Sequence, residues 1–298
     1  MIFKGSGVAL ITPFTKDGSI DFEKLKELIN MHISKKTDAI IVCGTTGESS
    51  TLSNDEKKEV IKYCVEVANG RIPIIAGTGS NNTKIAIEMT EYANSVNANG
   101  ALIVTPYYNK CNQEGLYHHY EQIANSVKDF PIILYNVPSR TCVNLENETI
   151  IKLSKIQNII GIKEANPNIS KIASLRQNLP DEFAIYSGND DLILPILSVG
   201  GNGVISVIAN ILPDEVHNIC YNFFESNFKS SQRLYFKILE LCKTLFIDIN
   251  PIMIKECMNI LGYNVGNVRL PRSNTSNENI QKIKICLEKL ELLKKEQN

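Results

Sequence analysis

Ile159-Ile160-Gly161-Ile162-Lys163-Glu164-Ala165 is a run of branched apolar residues that leads into a lysine. So short and isoleucine-rich a segment reads as a strand buried on both faces, as in a parallel sheet covered by helices. Period-two alternation places Ile159, Gly161 and Lys163 on one face and Ile160, Ile162 and Glu164 on the other. Gly161 then leaves a hole beneath the Lys163 side chain. Burial disfavours an ammonium ion, and a neutral amine is the nucleophile of Schiff-base chemistry. A strand end can equally carry a lysine that only extends its amine to water. The rest of the chain has to decide between the two.

Outward from this strand the same unit recurs: apolar strand, small turn, amphipathic helix. Val8-Ala9-Leu10-Ile11 precedes Thr12-Pro13-Phe14 and a helical face of Phe22, Leu25, Leu28 and Ile29. Ala39-Ile40-Ile41-Val42-Cys43 breaks at Gly44-Thr45-Thr46-Gly47-Glu48-Ser49, and Ser53 with Glu56 predicts a capping box for the next helix. Further strands are Pro73-Ile74-Ile75-Ala76, Ala101-Leu102-Ile103-Val104, Pro131-Ile132-Ile133-Leu134-Tyr135, Phe183-Ala184-Ile185-Tyr186 and Gly203-Val204-Ile205-Ser206-Val207. Eight β/α units at near-even spacing predict an α/β protein of the (β/α)8 TIM-barrel class, with its chemistry where the strands end. The expected division is a catalytic barrel over 1–225 and a C-terminal helical extension over 226–298 packed on the barrel.

With 298 residues, 43% of them hydrophobic, and a net charge of -1, the chain has the composition of one large globular domain. It has no basic surplus for nucleic acid or anionic membranes. Met1-Ile2-Phe3-Lys4-Gly5-Ser6-Gly7 lacks a long apolar run, and no later run approaches ~18 residues, so neither export nor a membrane span is expected. Eight scattered cysteines, without a C-x-x-C pair, predict reduced thiols in a cytoplasm and no metal.

If the barrel forms, polar residues at strand ends converge. Tyr135 and Lys163 end adjacent strands, and neighbouring strands lie roughly 4.8 Å apart, within reach of a phenol–amine hydrogen bond. A tyrosine there can pass protons to an adduct on the lysine, or can simply pack with its hydroxyl on the backbone. Thr45 and Thr46 in a glycine-flanked turn suit a carboxylate or a tyrosine hydroxyl. Arg140 offers a planar fork for a carboxylate. Ser187-Gly188-Asn189 and Gly201-Asn202-Gly203 allow a ligand close to the backbone.

Gly44-Thr45-Thr46-Gly47-Glu48-Ser49, Tyr107-Tyr108-Asn109, Tyr135-Asn136-Val137-Pro138-Ser139-Arg140-Thr141, Gly161-Ile162-Lys163-Glu164-Ala165 and Gly203-Val204-Ile205-Ser206 together resemble the dihydrodipicolinate synthase family of pyruvate-dependent class I aldolases. The match runs in order from about Gly5 to the last helices. The resemblance implies an enzyme that holds pyruvate as a Schiff base on Lys163, attacks L-aspartate 4-semialdehyde and closes the product ring, with no cofactor. It implies Tyr135 as proton carrier, in a relay with Thr45 and with Tyr108 of a neighbouring subunit. Thr46 and the Ile205 backbone are then pyruvate contacts, with Gly188 nearby as part of the substrate site, and Arg140 anchors the semialdehyde carboxylate. The same resemblance implies a cytoplasmic homotetramer, a dimer of dimers.

Lysine-inhibited members of the family bind that end product at a subunit interface, at positions corresponding to Ser49, Ser50, Asn54, Lys57, Asn81, Ile85 and Tyr107. Inhibited members carry glutamate where this chain has Ile85, and often histidine where it has Asn54 and Lys57, so the site is expected to be degenerate. The alternatives are an N-acetylneuraminate lyase or sugar-acid aldolase of the same family, a pyridoxal phosphate protein using Lys163, and a non-catalytic binding barrel. Paired threonines and an arginine favour a small anionic aldehyde over a polyol. No phosphate cradle is visible, and plain binding has no need of Lys163 and Tyr135 together.

Overall fold

Every strand of the protein separates two apolar environments. Val8, Ile40, Ile74, Leu134, Ile162 and Ile185 belong to a large core shared with the helices, whereas Ala9, Ile41, Ile75, Ile133, Tyr135 and Ile205 form a second cluster. A sheet apolar on both faces must be covered outside and closed upon itself inside, which is the solution of a β/α barrel. The computed structural model describes residues 1–294 and has that form. Its strands are β1 (Gly5–Ala9), β2 (Ala39–Val42), β3 (Ile74–Gly77), β4 (Gly100–Val104), β5 (Ile132–Asn136), β6 (Ile159–Glu164), β7 (Ala184–Ser187) and β8 (Gly203–Ser206). Neighbours follow chain order, all pairs are parallel, and β8 returns to β1.

The capping box before helix Asn54–Ala68 is reciprocal: Glu56 N donates to Ser53 Oγ (3.1 Å) and Ser53 N donates to Glu56 Oε2 (2.8 Å). Helix Pro213–Phe224 packs on β1 and supports Phe228–Thr244, which in turn contacts Asn277–Lys289; Ile252–Ile260 lies against that last helix. Residues 295–298 of the expected extension lie outside the described residues. Among the described residues no helix is long and apolar enough to cross a membrane, and all eight cysteines are free.

Four local expectations are corrected. Strand β1 starts at Gly5, three residues before Val8, because Ser6, Gly7 and Val8 pair with β8. The floor of the barrel there is filled by Phe3, stacked 4.3 Å from the Tyr186 ring, whose hydroxyl donates to Phe3 O (2.6 Å). In β6 the alternation is broken, since Ile132 pairs with Ile159 but Ile133 pairs with Gly161, so Ile160 is an extra residue. Ile159 accordingly joins Ile162 in the outer core and Ile160 packs on the inner cluster, the reverse of strict alternation. Nor does Gly161 leave a hole: a Cβ there would lie 2.8 Å from Ala184 O and 3.0 Å from Ala184 Cβ, so the glycine lets β7 approach. Finally, Gly203 begins β8, at the end of the barrel opposite Lys163. With φ at 151°, and with Gly5 O against the place where a Cβ would stand, it closes the β8–β1 seam.

Candidate active site

Strands β5 and β6 set Tyr135 beside Lys163 in register. Lys163 is 5% exposed, and its Nζ stands 4.4 Å from the centroid of the Tyr135 ring. The amine thus rests over the aromatic face, a cation–π geometry, rather than in the expected bond to the phenol. Just past the ends of β7 and β8 Asp190 is buried, accepting from Val207 N (3.0 Å) and Ile208 N (2.9 Å) through Oδ2 while Oδ1 has no hydrogen-bond partner. Burial pushes the Asp190 carboxyl up, and the Ser206 hydroxyl, these backbone donors and the Lys163 charge pull it back.

On the other face of β6, Glu164 accepts from Asn136 Nδ2 (3.0 Å to either oxygen) and from Asn166 N (2.7 Å). Its carboxyl is nevertheless pushed up to about 7 by burial, which outweighs these donors. Asn136 Oδ1 in turn accepts from Leu145 N (3.0 Å), so the cluster pins both ends of the loop that carries Arg140.

Above Tyr135 opens a cavity of about 240 Å³ bordered by Thr45, Ser49, Ser50, Tyr107, Tyr135, Arg140 and Arg272, among others. Thr45 sits in a tight turn in which Glu48 N donates to its carbonyl (3.2 Å) and Glu48 takes a left-handed φ of 57°. That conformation turns the Glu48 side chain, fully buried, toward the C-terminal extension. There it accepts from Lys255 Nζ (2.9 Å) and Arg269 N (3.0 Å), with Arg272 Nη1 at 3.8 Å.

Thr46 is buried and its Oγ1 accepts from Asn250 Nδ2 (3.0 Å), while Arg140 Nη2 donates to Asn250 O (3.2 Å). One asparagine of the extension therefore joins two residues of the expected site. Arg140 lies open to solvent at the cavity wall. Ile205 is buried in the inner cluster. Gly188 N donates to Glu164 O (2.8 Å), and a Cβ at Gly188 would lie 2.7 Å from Ala165 Cβ, so close strand packing already requires a glycine there.

Tyr108 is 91% exposed with φ at 72°, and it does not border its own chain's cavity. The neighbours hold it in that uncommon conformation: Asn81 Nδ2 donates to Tyr107 O (3.1 Å) and Asn109 Nδ2 donates to Asn81 O (3.0 Å). Of the residues at the expected lysine site, Ser49, Ser50 and Tyr107 border the cavity and Asn81 bonds to Tyr107. Asn54 starts its helix, Lys57 is half-buried one turn on, and Ile85 packs on the main core. Burial lowers the Lys57 pKa.

The sequence reading missed Asn250, Lys255 and Arg272. Each stands more than a hundred residues from its partner, and only the cation-rich run Val268-Arg269-Leu270-Pro271-Arg272 hints at a role.

A closed parallel barrel with a buried lysine over a tyrosine ring at the strand ends is built as an enzyme of the class I aldolase type. Residues 2–290 match the Dihydrodipicolinate synthetase family, and the chain belongs to it. It is 51% identical over 293 residues to 4-hydroxy-tetrahydrodipicolinate synthase 1 of Clostridium acetobutylicum, covering 98% of this chain and 99% of that protein. The solved dihydrodipicolinate synthase of Aquifex aeolicus superposes with a TM-score of 0.95 at 45% identity, over 98% of this chain and all (100%) of that one. A lysine-bound DHDPS structure from Cyanidioschyzon merolae gives 0.96 at 37% identity, over 98% and 99% of the two chains.

Proposed function

We propose that the protein condenses pyruvate with L-aspartate 4-semialdehyde to give 4-hydroxy-tetrahydrodipicolinate, through an imine on Lys163. The observation that carries this is the buried Lys163 amine over the Tyr135 ring, below a cavity walled by Arg140. The Lys163 amine attacks the pyruvate ketone and water leaves, forming the imine. Loss of a methyl proton gives the enamine, whose carbon attacks the aldehyde. The amino group of the second substrate then adds to the imine carbon, closes the ring and releases Lys163. No metal or cofactor enters these steps.

Tyr135 carries the protons of imine formation and breakdown in this reading, relayed through Thr45 and through Tyr108 of a neighbouring subunit. Thr46, Gly188 and the Ile205 backbone hold pyruvate, and Asn250 orients the Thr46 hydroxyl. Arg140 receives the semialdehyde carboxylate. The exposed, strained Tyr108 supports a contact with a second subunit; the assembly is a homotetramer, a dimer of dimers, in the cytoplasm.

Borohydride reduction with pyruvate tests the reading. Wild-type protein is expected to gain the reduced pyruvyl mass on the peptide containing Lys163, and Lys163→Ala is expected to gain none. Equal trapping by the variant would place the nucleophile elsewhere.

A further inference from the structure

We propose that Arg272, reaching in from the C-terminal extension, is a second contact for the carboxylate of the aldehyde substrate, opposite Arg140. The inference rests on the reaction proposed above.

The charges around the cavity do not balance. Glu48 is taken by Lys255 at 2.9 Å, and Glu56 by Arg269 at 2.6 Å. Arg272 borders the same cavity as Arg140, its side chain only 15% exposed. Its Nη1 is buried without a hydrogen-bond partner, with the Glu48 carboxylate 3.8 Å away, too far for a hydrogen bond. The one hydrogen bond of the Arg140 side chain goes to a neutral carbonyl, that of Asn250. Two guanidinium groups thus border one cavity, and among the described residues no carboxylate is hydrogen-bonded to either, the nearest to Arg272 being Glu48 at 3.8 Å.

Like charges repel, and a buried donor without an acceptor is itself unfavourable. The repulsion is relieved when an anion enters the cavity that both guanidinium groups border. Desolvation at the cavity wall lowers the Arg140 pKa, Tyr135 raises it, and the Arg272 charge lowers it again, the sign expected of a like charge nearby.

The anion is the aldehyde's carboxylate rather than pyruvate's. Lys163 and Thr46 do not border the upper cavity, whereas Arg140 and Arg272 do, so pyruvate tethered to Lys163 lies below it. A second guanidinium also turns the cavity against neutral polyol aldehydes, which would leave both forks unpaired.

Arg272→Gln and Arg272→Lys test this, with each Michaelis constant measured at saturating partner substrate and borohydride trapping as a control. Arg272→Gln is expected to raise KM for the semialdehyde ~10- to 100-fold, the scale of a charged hydrogen bond. KM for pyruvate and the trapping of pyruvate should stay unchanged, and Arg272→Lys should recover part of the loss. An unaltered semialdehyde KM, an equal rise in both constants, or a loss confined to melting temperature would show Arg272 to be only a neighbour of Glu48 and overturn the proposal. Failure of wild-type protein to trap pyruvate is a separate result that overturns the Schiff-base reading and this inference with it.

Discussion

Glu48 and Lys255 are separated by 207 residues in the chain and by 2.9 Å in the fold, both almost fully buried. Desolvation pushes the Lys255 pKa down to about 8, and the Glu48 charge pulls the other way. The pair links the Gly44–Gly47 turn to helix Ile252–Ile260, so the extension is wired to the loop that carries Thr45 and Thr46. Removing one partner of a buried pair strands the other, at about 3 to 5 kcal/mol. Lys255→Met is therefore expected to lose about 3 kcal/mol in urea denaturation, the low end, because Arg269 N still donates to Glu48. Adding Glu48→Gln should restore much of it. A single variant within ~0.5 kcal/mol of wild type would show that the pair contributes nothing.

Tyr135→Phe keeps the ring under the Lys163 amine and removes only the hydroxyl. Turnover should fall by roughly 10² to 10⁴, the usual contribution of a general acid–base group, with melting temperature unchanged. Near-normal turnover would reduce Tyr135 to a packing residue.

Tyr108 points away from its own cavity, so its role depends on a second subunit. Tyr108→Phe should be impaired and Lys163→Ala inactive. After subunit exchange, each mixed pair holds one site with both residues intact, and activity should reappear above that of either parent. No recovery under conditions where mass spectrometry shows exchange would refute the crossing.

Glu164 supplies a pH dependence. Its carboxyl is raised from 4.5 to about 7, so the folded state holds the proton more tightly than the unfolded chain. Its contribution to stability is full below pH 4.5 and is lost as pH rises to about 7. Buried His32, lowered from 6.5 to about 3 by burial, acts in the opposite sense, costing stability as pH falls through that range. The difference between wild type and Glu164→Gln isolates the carboxyl. It should shift in favour of the variant by up to ~1.4 kcal/mol per pH unit between pH 4.5 and 7. A difference independent of pH would mean that Glu164 is ionised throughout.

L-lysine is expected to be a poor inhibitor. Ile85 offers no carboxylate to an incoming ammonium, and Lys57 adds a like charge. Loss of one charge partner costs ~2 to 5 kcal/mol, more than a tenfold loss of affinity. Half-inhibition at sub-millimolar lysine in a steady-state titration would overturn this.

The barrel was legible because strand and helix periodicities are local, and strand ends such as Tyr135 and Lys163 could be placed by counting units. The bulge at Ile160 was not, since it is defined only by its pairing with β5. Asn250 and Arg272 escaped for another reason: a side chain in an irregular segment carries no periodicity, and their partners are fixed only when the extension docks. Asn250 bonds Thr46 across 204 residues of chain. Gly203 misled in the other direction, as a glycine that could admit a ligand admits only the neighbouring strand.

The seam between β1 and β8 also bears on how the protein is made. Strand β1 leaves the ribosome first, yet its outer edge finds its partner only once residues 203–206 have emerged. At about 5 to 20 residues per second that interval is roughly 10 to 40 s. Throughout it the nascent chain displays an unpaired apolar edge, and Glu48 waits longer still for Lys255. The newborn polypeptide is therefore most exposed to aggregation and to chaperone capture before its eighth strand appears.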